Sequence, residues 1–399
     1  MLGSLTDCMS VSNILIFISD SLRYDAFPDK IKKRTTWGKA VSASTYTGSG
    51  FPSIVTGQYP TSHCIWKLSG QLESEPPLLS LYESSGLDVT HAWSTTEDPA
   101  QKPPMRMTHQ ARYTLLEDVS PPFSLVVHDR GGHMTYGRFE QNEWESHDEF
   151  FDELANRPEQ IKELYHEGVD ESAERFLGMY DQLESQGILD DTLVIFTSDH
   201  GELLGEYNGL YDHQTPIVPE LVYVPLAFAG AGLPENHKLE TLASTVDIVP
   251  TAFTALEEVN SRPVDGLDLW SLPESHSGER VIRSEIWNSP RPFLEYKATS
   301  VWNDTGGIVK HYGNAASRLL YMLGTQYYYR PYSNIVWKPS WELGQLLKLY
   351  AKSTVEFGDP PTDISDELQV EFTQQNEANA QTEVPEPTEQ QLKDLGYLK

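Results

Sequence analysis

Short, wholly apolar runs punctuate this chain, and one long stretch of helical periodicity lies among them. Ile14-Leu15-Ile16-Phe17-Ile18, Phe123-Ser124-Leu125-Val126-Val127, Leu193-Val194-Ile195-Phe196 and the run from Leu221 to Phe228 are rich in β-branched and aromatic residues. Such runs read as strands buried on both faces, the pattern of a central parallel sheet. Ile161, Leu164, Val169, Phe176 and Leu183 instead mark one face of a long amphipathic helix, opened by Pro158 and closed by Gly187. Pro77 to Gly86 and Thr241 to Leu256 read as further helices, Asp88 to Trp93 as a strand, and residues 94–122 as an irregular loop over a site.

From about Gly278 the pattern changes. Val281 to Trp287, Thr299 to Trp302 and Tyr321 to Tyr329 predict strands of a smaller antiparallel sheet. The fold class expected is therefore α/β, a mixed and largely parallel sheet between helices, followed by a small antiparallel sheet. Residues 1–11 read as a tail, 12–277 as the main domain and 278–352 as the small sheet. Residues 353–390 are acidic and lack apolar periodicity, which predicts disorder, and 391–399 regain apolar residues suited to docking.

Charge narrows the partners. Among 399 residues, 59 are acidic and 29 basic, giving a net charge of −30. Nucleic acid is excluded as a main partner, because a phosphate backbone needs a basic footprint. An acidic surface of this kind suits concentrated salt, where self-repulsion is screened. Cys8 and Cys64 form no disulfide framework. The first apolar run is too short to span a membrane and has no basic flank, so a soluble, cytoplasmic protein without a transmembrane segment is expected.

Candidate chemistry collects where strands end, as it does in open α/β sheets. Asp20 follows the first strand, His128 and Asp129 the second apolar run, with His133 on the glycine-bearing turn beyond, and Asp199-His200 follow the third. His213 comes after a loop. Thr45, Thr47 and Ser49 lie in a Gly- and hydroxyl-rich segment that reads as a helix start, and any of the three could serve as a nucleophile near the helix amides. Asp20, Thr47, Asp129, His133, Asp199, His200 and His213 together form a ligand set that favours Zn²⁺ or Mn²⁺ over Mg²⁺ or Ca²⁺.

Several stretches resemble the sulfatase family of the alkaline phosphatase superfamily: ISDSLRYD at 18–25, FPSIVTGQYP at 51–60, DDTLVIFTSDHGELLGE at 190–206, YVPLAFAGAG at 223–232, STVDIVPTAFTAL at 244–256, DGLDLW at 265–270 and LKDLGYL at 392–398. The resemblance implies that Asp20 and Asp199-His200 bind metal and that Thr47 is the nucleophile. True sulfatases carry Cys-x-Pro-x-Arg there, whose Cys (or a Ser) becomes formylglycine; this chain has Thr47-Gly48-Ser49-Gly50-Phe51. Asp129, His133 and His213 are similar to the second ion site of the two-metal phosphodiesterase and mutase branches, although His128 with His133 also fits a His-x-x-x-x-His pattern. The resemblance thus implies two divalent ions, a covalent Thr47 intermediate, and a small-molecule, glycan- or lipid-linked phosphate or sulfate ester as substrate. The alternatives are transfer to an alcohol acceptor, or a non-catalytic relative that binds an anion or a partner.

Overall fold

The computed structural model describes residues 11–373 except 94–95, 97, 110, 139–143, 145–146, 155, 273–279, 292–293, 326–340 and 363–367. Expectations for residues 1–10, for 326–329 of the stretch Tyr321 to Tyr329 and for the docking segment 391–399 lie outside the described residues.

In chain order the first strands are β1 (Asn13–Ser19), β2 (Thr36–Val41), β3 (Gly86–Asp88), β4 (Ser124–Asp129), β5 (Thr192–Thr197), β6 (Leu203–Gly205), β7 (Leu210–Asp212), β8 (Tyr223–Gly230), β9 (His237–Lys238) and β10 (Ala243–Ser244). They form an eight-stranded sheet in the order β10-β2-β8-β5-β1-β4-β3, with β9 on β2, while β6 and β7 form a separate two-stranded ribbon. β3, β4, β1 and β5 run parallel, and β8 runs against both β5 and β2. The mixed, mostly parallel sheet between helices is as expected. All seven residues of β1 and all six of β5 are buried, which is why these strands read as continuous apolar runs.

Alternation divides that burial between two cores. Ile14, Ile16, Ile18, Leu193 and Ile195 pack with Phe51, Ile54 and Val55 of the Thr47–Thr56 helix and with the Ile248–Ala255 helix. Leu15, Phe17, Val194 and Phe196 face the opposite way, onto Ile161, Tyr165, Val169 and Phe176 of the Pro158–Ser185 helix. One face of the sheet thus belongs to the short Thr47 helix and the other to the long helix.

Beyond these lies the small antiparallel sheet, β11 (Ile282–Arg291), β12 (Leu294–Trp302), β13 (Gly306–His311) and β14 (Thr354–Gly358), in that order. β14 lies inside the stretch expected to lack structure. Its Val355 and Phe357 alternate toward the core beneath this sheet, and Phe357 stacks on Trp302. A second difference concerns Tyr321, expected in a strand. Residues 315–323 form a helix whose Asn314 side chain accepts the Ser317 amide and whose buried Arg318, Tyr321 and Met322 share one face. A third is the strand read from Asp88 to Trp93: the Asp88 carboxylate accepts from the amide and hydroxyl of Thr90, and this turn ends β3 at Asp88. Pro77 to Gly86, read as a helix, gives only a 3₁₀ turn over Pro77–Ser80.

Candidate active site

Asp20 and Asp199 continue the rows of Ile14-Ile16-Ile18 and Leu193-Ile195-Thr197 one step past their strand ends, on the face of the Thr47 helix. Ser198 ties the two ends together, accepting from the Leu22 amide at 2.9 Å and donating to the His200 carbonyl at 2.6 Å. The Thr47–Thr56 helix packs directly on this edge. A Cβ at Gly50 would lie 2.6 Å from the Asp199 carbonyl, so only glycine lets the helix approach so closely. The same holds at Gly201, where a Cβ would meet the Glu220 carbonyl at 2.0 Å.

Thr47 is the first residue of its helix. Its Oγ1 lies 2.9 Å from Nε2 of His200 and 3.5 Å from Oδ2 of Asp20. His200 Nε2 is 3.5 Å from Asp20 Oδ1 and 3.6 Å from Asp199 Oδ2. Nδ1 of His200 donates to the Gly201 carbonyl at 2.8 Å, which leaves Nε2 as the bare lone pair facing Thr47. The two other candidate hydroxyls are committed elsewhere. Thr45 donates to the Gln214 carbonyl, and Ser49 pairs with Ser44.

Ligand atoms of Asp20, Asp199 and His200 all lie within 4.8 Å of one another, and all three residues are buried. His128 adds a fourth donor, its Nε2 3.8 Å from an oxygen of each carboxylate. Neither ring nitrogen of His128 nor Oδ2 of Asp199 has a hydrogen-bond partner, an unusual condition for buried polar atoms. Burial, and then the nearby Asp199, push the Asp20 carboxyl well above its ordinary range. Burial also pushes Asp199 up, but His200 and His128 outweigh it and hold that carboxyl low. Burial lowers His200 to about 4, so its ring is neutral and able to coordinate. Two buried carboxylates with bare imidazole nitrogens around them are a donor set that fits a divalent cation.

A second group follows on the β6–β7 ribbon. Ligand atoms of His200, Glu202 and His213 also lie within 4.8 Å of one another. Here the carboxylate is already paired. Tyr136 donates to Glu202 Oε1 at 2.5 Å, and Nδ1 of His213 lies 3.1 Å from Glu202 Oε2 and 2.8 Å from Asp212 Oδ1. Burial disfavours a charge on His213, but Asp212 and Glu202 outweigh it and raise its pKa well above the usual range. His213 lies against His200 with ring centroids 4.3 Å apart and planes tilted by 34°, and His133 meets it edge-on at 5.3 Å. His133 donates from Nδ1 to the Met134 carbonyl, lies flat on Trp93, and keeps a buried Nε2 without a partner. Each of these two groups is a candidate metal-binding cluster, and their donor sets are those of divalent-metal use.

Comparison with known proteins agrees with this chemistry. The sulfatase family pattern matches residues 103–258. The low-salt glycan biosynthesis sulfotransferase Agl7 of Haloferax volcanii is 37% identical over 404 residues, covering 97% of this chain and 96% of the relative. The chain belongs to the sulfatase family. A 2-O GAG sulfatase shares the fold at a TM-score of 0.57 and 14% identity, over 76% of this chain and 83% of that one. The phosphonate monoester hydrolase of Silicibacter pomeroyi does so at 0.54 and 16% identity, over 75% and 87%. The protein is a sulfatase-like hydrolase of the alkaline phosphatase superfamily, with two candidate metal-binding clusters. Among the described residues no helix is long and apolar enough to cross a membrane.

Against this family frame, the fold brings Asp20, Thr47, Asp199 and His200 into one cluster, with His213 beside them and His133 against His213. Asp129 stands apart. It pairs in register with Ser19, and both side chains face the long helix, where Ser19 meets Ser172 and Asp129 takes a two-pronged ion pair from Arg175 at 2.5 and 2.9 Å. His128, one residue earlier, pairs with Ile18 and faces the Thr47 helix, edge-on to Phe51 at 5.2 Å. A one-residue step along a strand reverses the face, so β4 aims His128 rather than Asp129 at the site. Glu202 went unremarked in the sequence, although it stands two residues after His200. The ribbon that folds His213 back onto it turns through Asn208-Gly209, the signal that could have found it.

Proposed function

We propose that Thr47 is the nucleophile of an ester hydrolysis that proceeds through a covalent threonine ester of phosphate or sulfate. The observation that carries this reading is the Thr47 hydroxyl, 2.9 Å from a bare His200 nitrogen and 3.5 Å from Asp20, at the first residue of a helix. The first bonds to the Tyr46 carbonyl come from the amides of Ser49 and Gly50. The Thr47 and Gly48 amides therefore precede the helical ladder and can receive an anionic oxygen. Asp20, Asp199 and His200, with His128 beside them, would hold one divalent ion. His133 and His213 would contribute to a second, with Glu202 holding His213 through Nδ1, and Zn²⁺ or Mn²⁺ would fit both sets better than Mg²⁺ or Ca²⁺. Such ions supply Lewis-acid polarisation of the ester and neutralise charge on its oxygens.

Within that frame Thr47 Oγ1 attacks phosphorus or sulfur in line, and the bond to the leaving alcohol breaks. Water then cleaves the threonine ester and restores the hydroxyl. Thr47→Ala removes the only atom that forms the intermediate. Turnover of aryl phosphate, phosphodiester and sulfate esters, assayed in concentrated salt, should fall by at least about 10³-fold while bound metal, measured by elemental analysis, is retained. An unchanged rate would move the nucleophile away from Thr47.

A second reading is transfer of the same group to an alcohol rather than water. It is favoured by the relative from Haloferax volcanii, named a glycan biosynthesis sulfotransferase, which aligns over nearly the full length. Adding glycerol or a simple glycoside to the assay separates the two, because transfer yields a new ester in place of free phosphate or sulfate.

A further inference from the structure

The ribbon that holds Glu202 and His213 at its base carries Tyr207 at its other end, between β6 and β7. Tyr207 forms one wall of a separate cavity of about 520 Å³, lined also by Gln345, Lys348, Lys352, Glu356 and Phe357. These come from the Trp341–Ala351 helix, the residue after it, and β14. The space is of the size that takes a small organic ligand. Bound to Glu220 through its hydroxyl at 2.9 Å, Tyr207 is held by that end.

Charge makes this cavity unlike the rest of the surface. Lys348 and Lys352 are four residues apart, with the Lys352 amide still bonded to the Lys348 carbonyl, so both stems leave the same side of the helix. Among the described residues neither ammonium enters an ion pair. In a chain of net charge −30, two cations against the single carboxylate of Glu356 in one concavity are a local reversal of sign. Lysines near a helix C-terminus also offset the helix dipole, but that role needs neither a hollow nor a facing aromatic ring.

The lining selects among anions. A bare sulfate or phosphate would leave most of the volume unfilled. A nucleic acid or another polyanion would meet Glu356 and the acidic surface beyond it. A ligand that combines an aromatic-sized apolar face, several hydroxyls and one negative group fits better. Tyr207 and Phe357 offer ring surface, Gln345 and Glu356 offer a donor and an acceptor, and the lysines offer the countercharge.

We propose that this cavity binds an anionic sugar unit, one or two rings bearing a carboxylate, sulfate or phosphate. It gives the remote part of a glycan substrate a place at one end of the ribbon whose other end lines the active site. Its existence does not depend on the chemistry at Thr47, and binding is read at equilibrium without turnover. The experiment is calorimetric titration of the full chain with glucuronic acid, glucose 6-sulfate and glucose, beside the Lys348→Gln/Lys352→Gln variant. Both lysines are exposed, so the variant should melt at the wild-type temperature and hydrolyse a small aryl ester at a wild-type rate. The two charged sugars are expected to bind the wild type, to bind the variant at least about tenfold more weakly, and to weaken with added salt. Neutral glucose should bind neither protein measurably. Equal affinities in wild type and variant, no binding of either charged sugar to the wild type, or glucose binding as tightly as glucuronic acid would each overturn the assignment.

Discussion

At the carboxyl edge of the sheet, two buried carboxylate arrangements lie back to back and differ in one respect. On the long-helix face Asp129 is closed off by Arg175. On the Thr47 face Asp20 and Asp199 sit together with histidines, and among the described residues no Lys or Arg forms an ion pair with either. Both are equally out of water. Burial pushes the Asp129 carboxyl up, but the Arg175 hydrogen bonds and charge outweigh it and hold it low, whereas burial and Asp199 push Asp20 well above its usual range. The chain supplies the countercharge on one face, and on the other the proposed divalent ion would supply it. The two arrangements are thus distinguished by what surrounds the carboxylates, not by depth.

The largest effect is expected for Asp199→Asn. It removes a ligand and a charge together, so bound metal should be lost and turnover should fall by at least about 10³-fold. In chelator the same variant should melt no lower than wild type, because a like-charge repulsion has been relieved. A lower melting temperature there would mean the pair was already balanced. The sign with pH follows. A carboxyl that binds its proton more tightly folded than unfolded costs stability as pH rises above 3.8 toward its folded value. Chelated protein should therefore lose ground to metal-loaded protein as pH rises. Asp129 acts in the opposite sense, its contribution present above 3.8 and lost as pH falls below it.

Arg175→Met attacks the other face. It strips the countercharge from a carboxylate that is 1% exposed, in a pair whose arginine is 17% exposed. Breaking a buried pair from one side costs about 3 kcal/mol. Denaturant unfolding should register that loss, while bound metal and the rate per folded molecule stay near wild type. Metal loss in this variant would return Asp129 to the ligand set.

How much of this was legible depends on which residues did not need a partner to be known. Asp20 and Asp199-His200 could be read because an apolar run ending on a carboxylate marks a strand's carboxyl end. Thr47 could not be separated from Thr45 and Ser49 by local sequence. The likeness pointed to it, and what turns the other two away is three-dimensional: the Gln214 carbonyl takes one hydroxyl and Ser44 the other. The choice between His128 and Asp129 hung on a single residue of strand phase, which apolar runs buried on both faces do not disclose. Glu202 and His213 meet only because the chain reverses through left-handed Tyr207, Asn208 and Gly209. Asn208-Gly209 is itself a hairpin signal, but the strands it joins are only three residues each, too short for alternation to announce the ribbon. β14 is five residues long with only Val355 and Phe357 turned inward, too few to stand out from the acidic stretch around it.

A smaller effect is expected at Glu202, where the ribbon group already satisfies itself. Glu202→Gln keeps the shape but weakens the hold on His213 Nδ1 at 3.1 Å. Groups that orient a ligand histidine typically matter about 10- to 100-fold. Turnover should fall within that range, with the metal at Asp20 and Asp199 retained. A loss as large as that of Asp199→Asn would make Glu202 an equal member of the ion site.

His63 carries the comparison to its mildest case, a buried imidazole on the Thr47 face that is fully paired by neutral groups. Its Nδ1 accepts the Ile65 amide at 3.0 Å, and its Nε2 donates to Ser53 Oγ at 3.0 Å, which donates on to the Ser49 carbonyl at 2.9 Å. A second ring proton would face an N–H, and burial lowers the pKa to about 3 from 6.5. Between those values the unfolded chain binds a proton that the folded chain refuses, so stability falls as pH falls through the window. The loss is ~1.4 kcal/mol per unit, or about 2 kcal/mol between pH 6.5 and 5. His63→Gln keeps a donor and an acceptor but cannot titrate. Urea unfolding of metal-loaded wild type and variant at pH 7 and pH 5 should show the variant's acid loss smaller by about that amount. An equal loss in both proteins would mean that this face accommodates an uncompensated charge after all, and the case for a cation beside Asp20 and Asp199 would weaken with it.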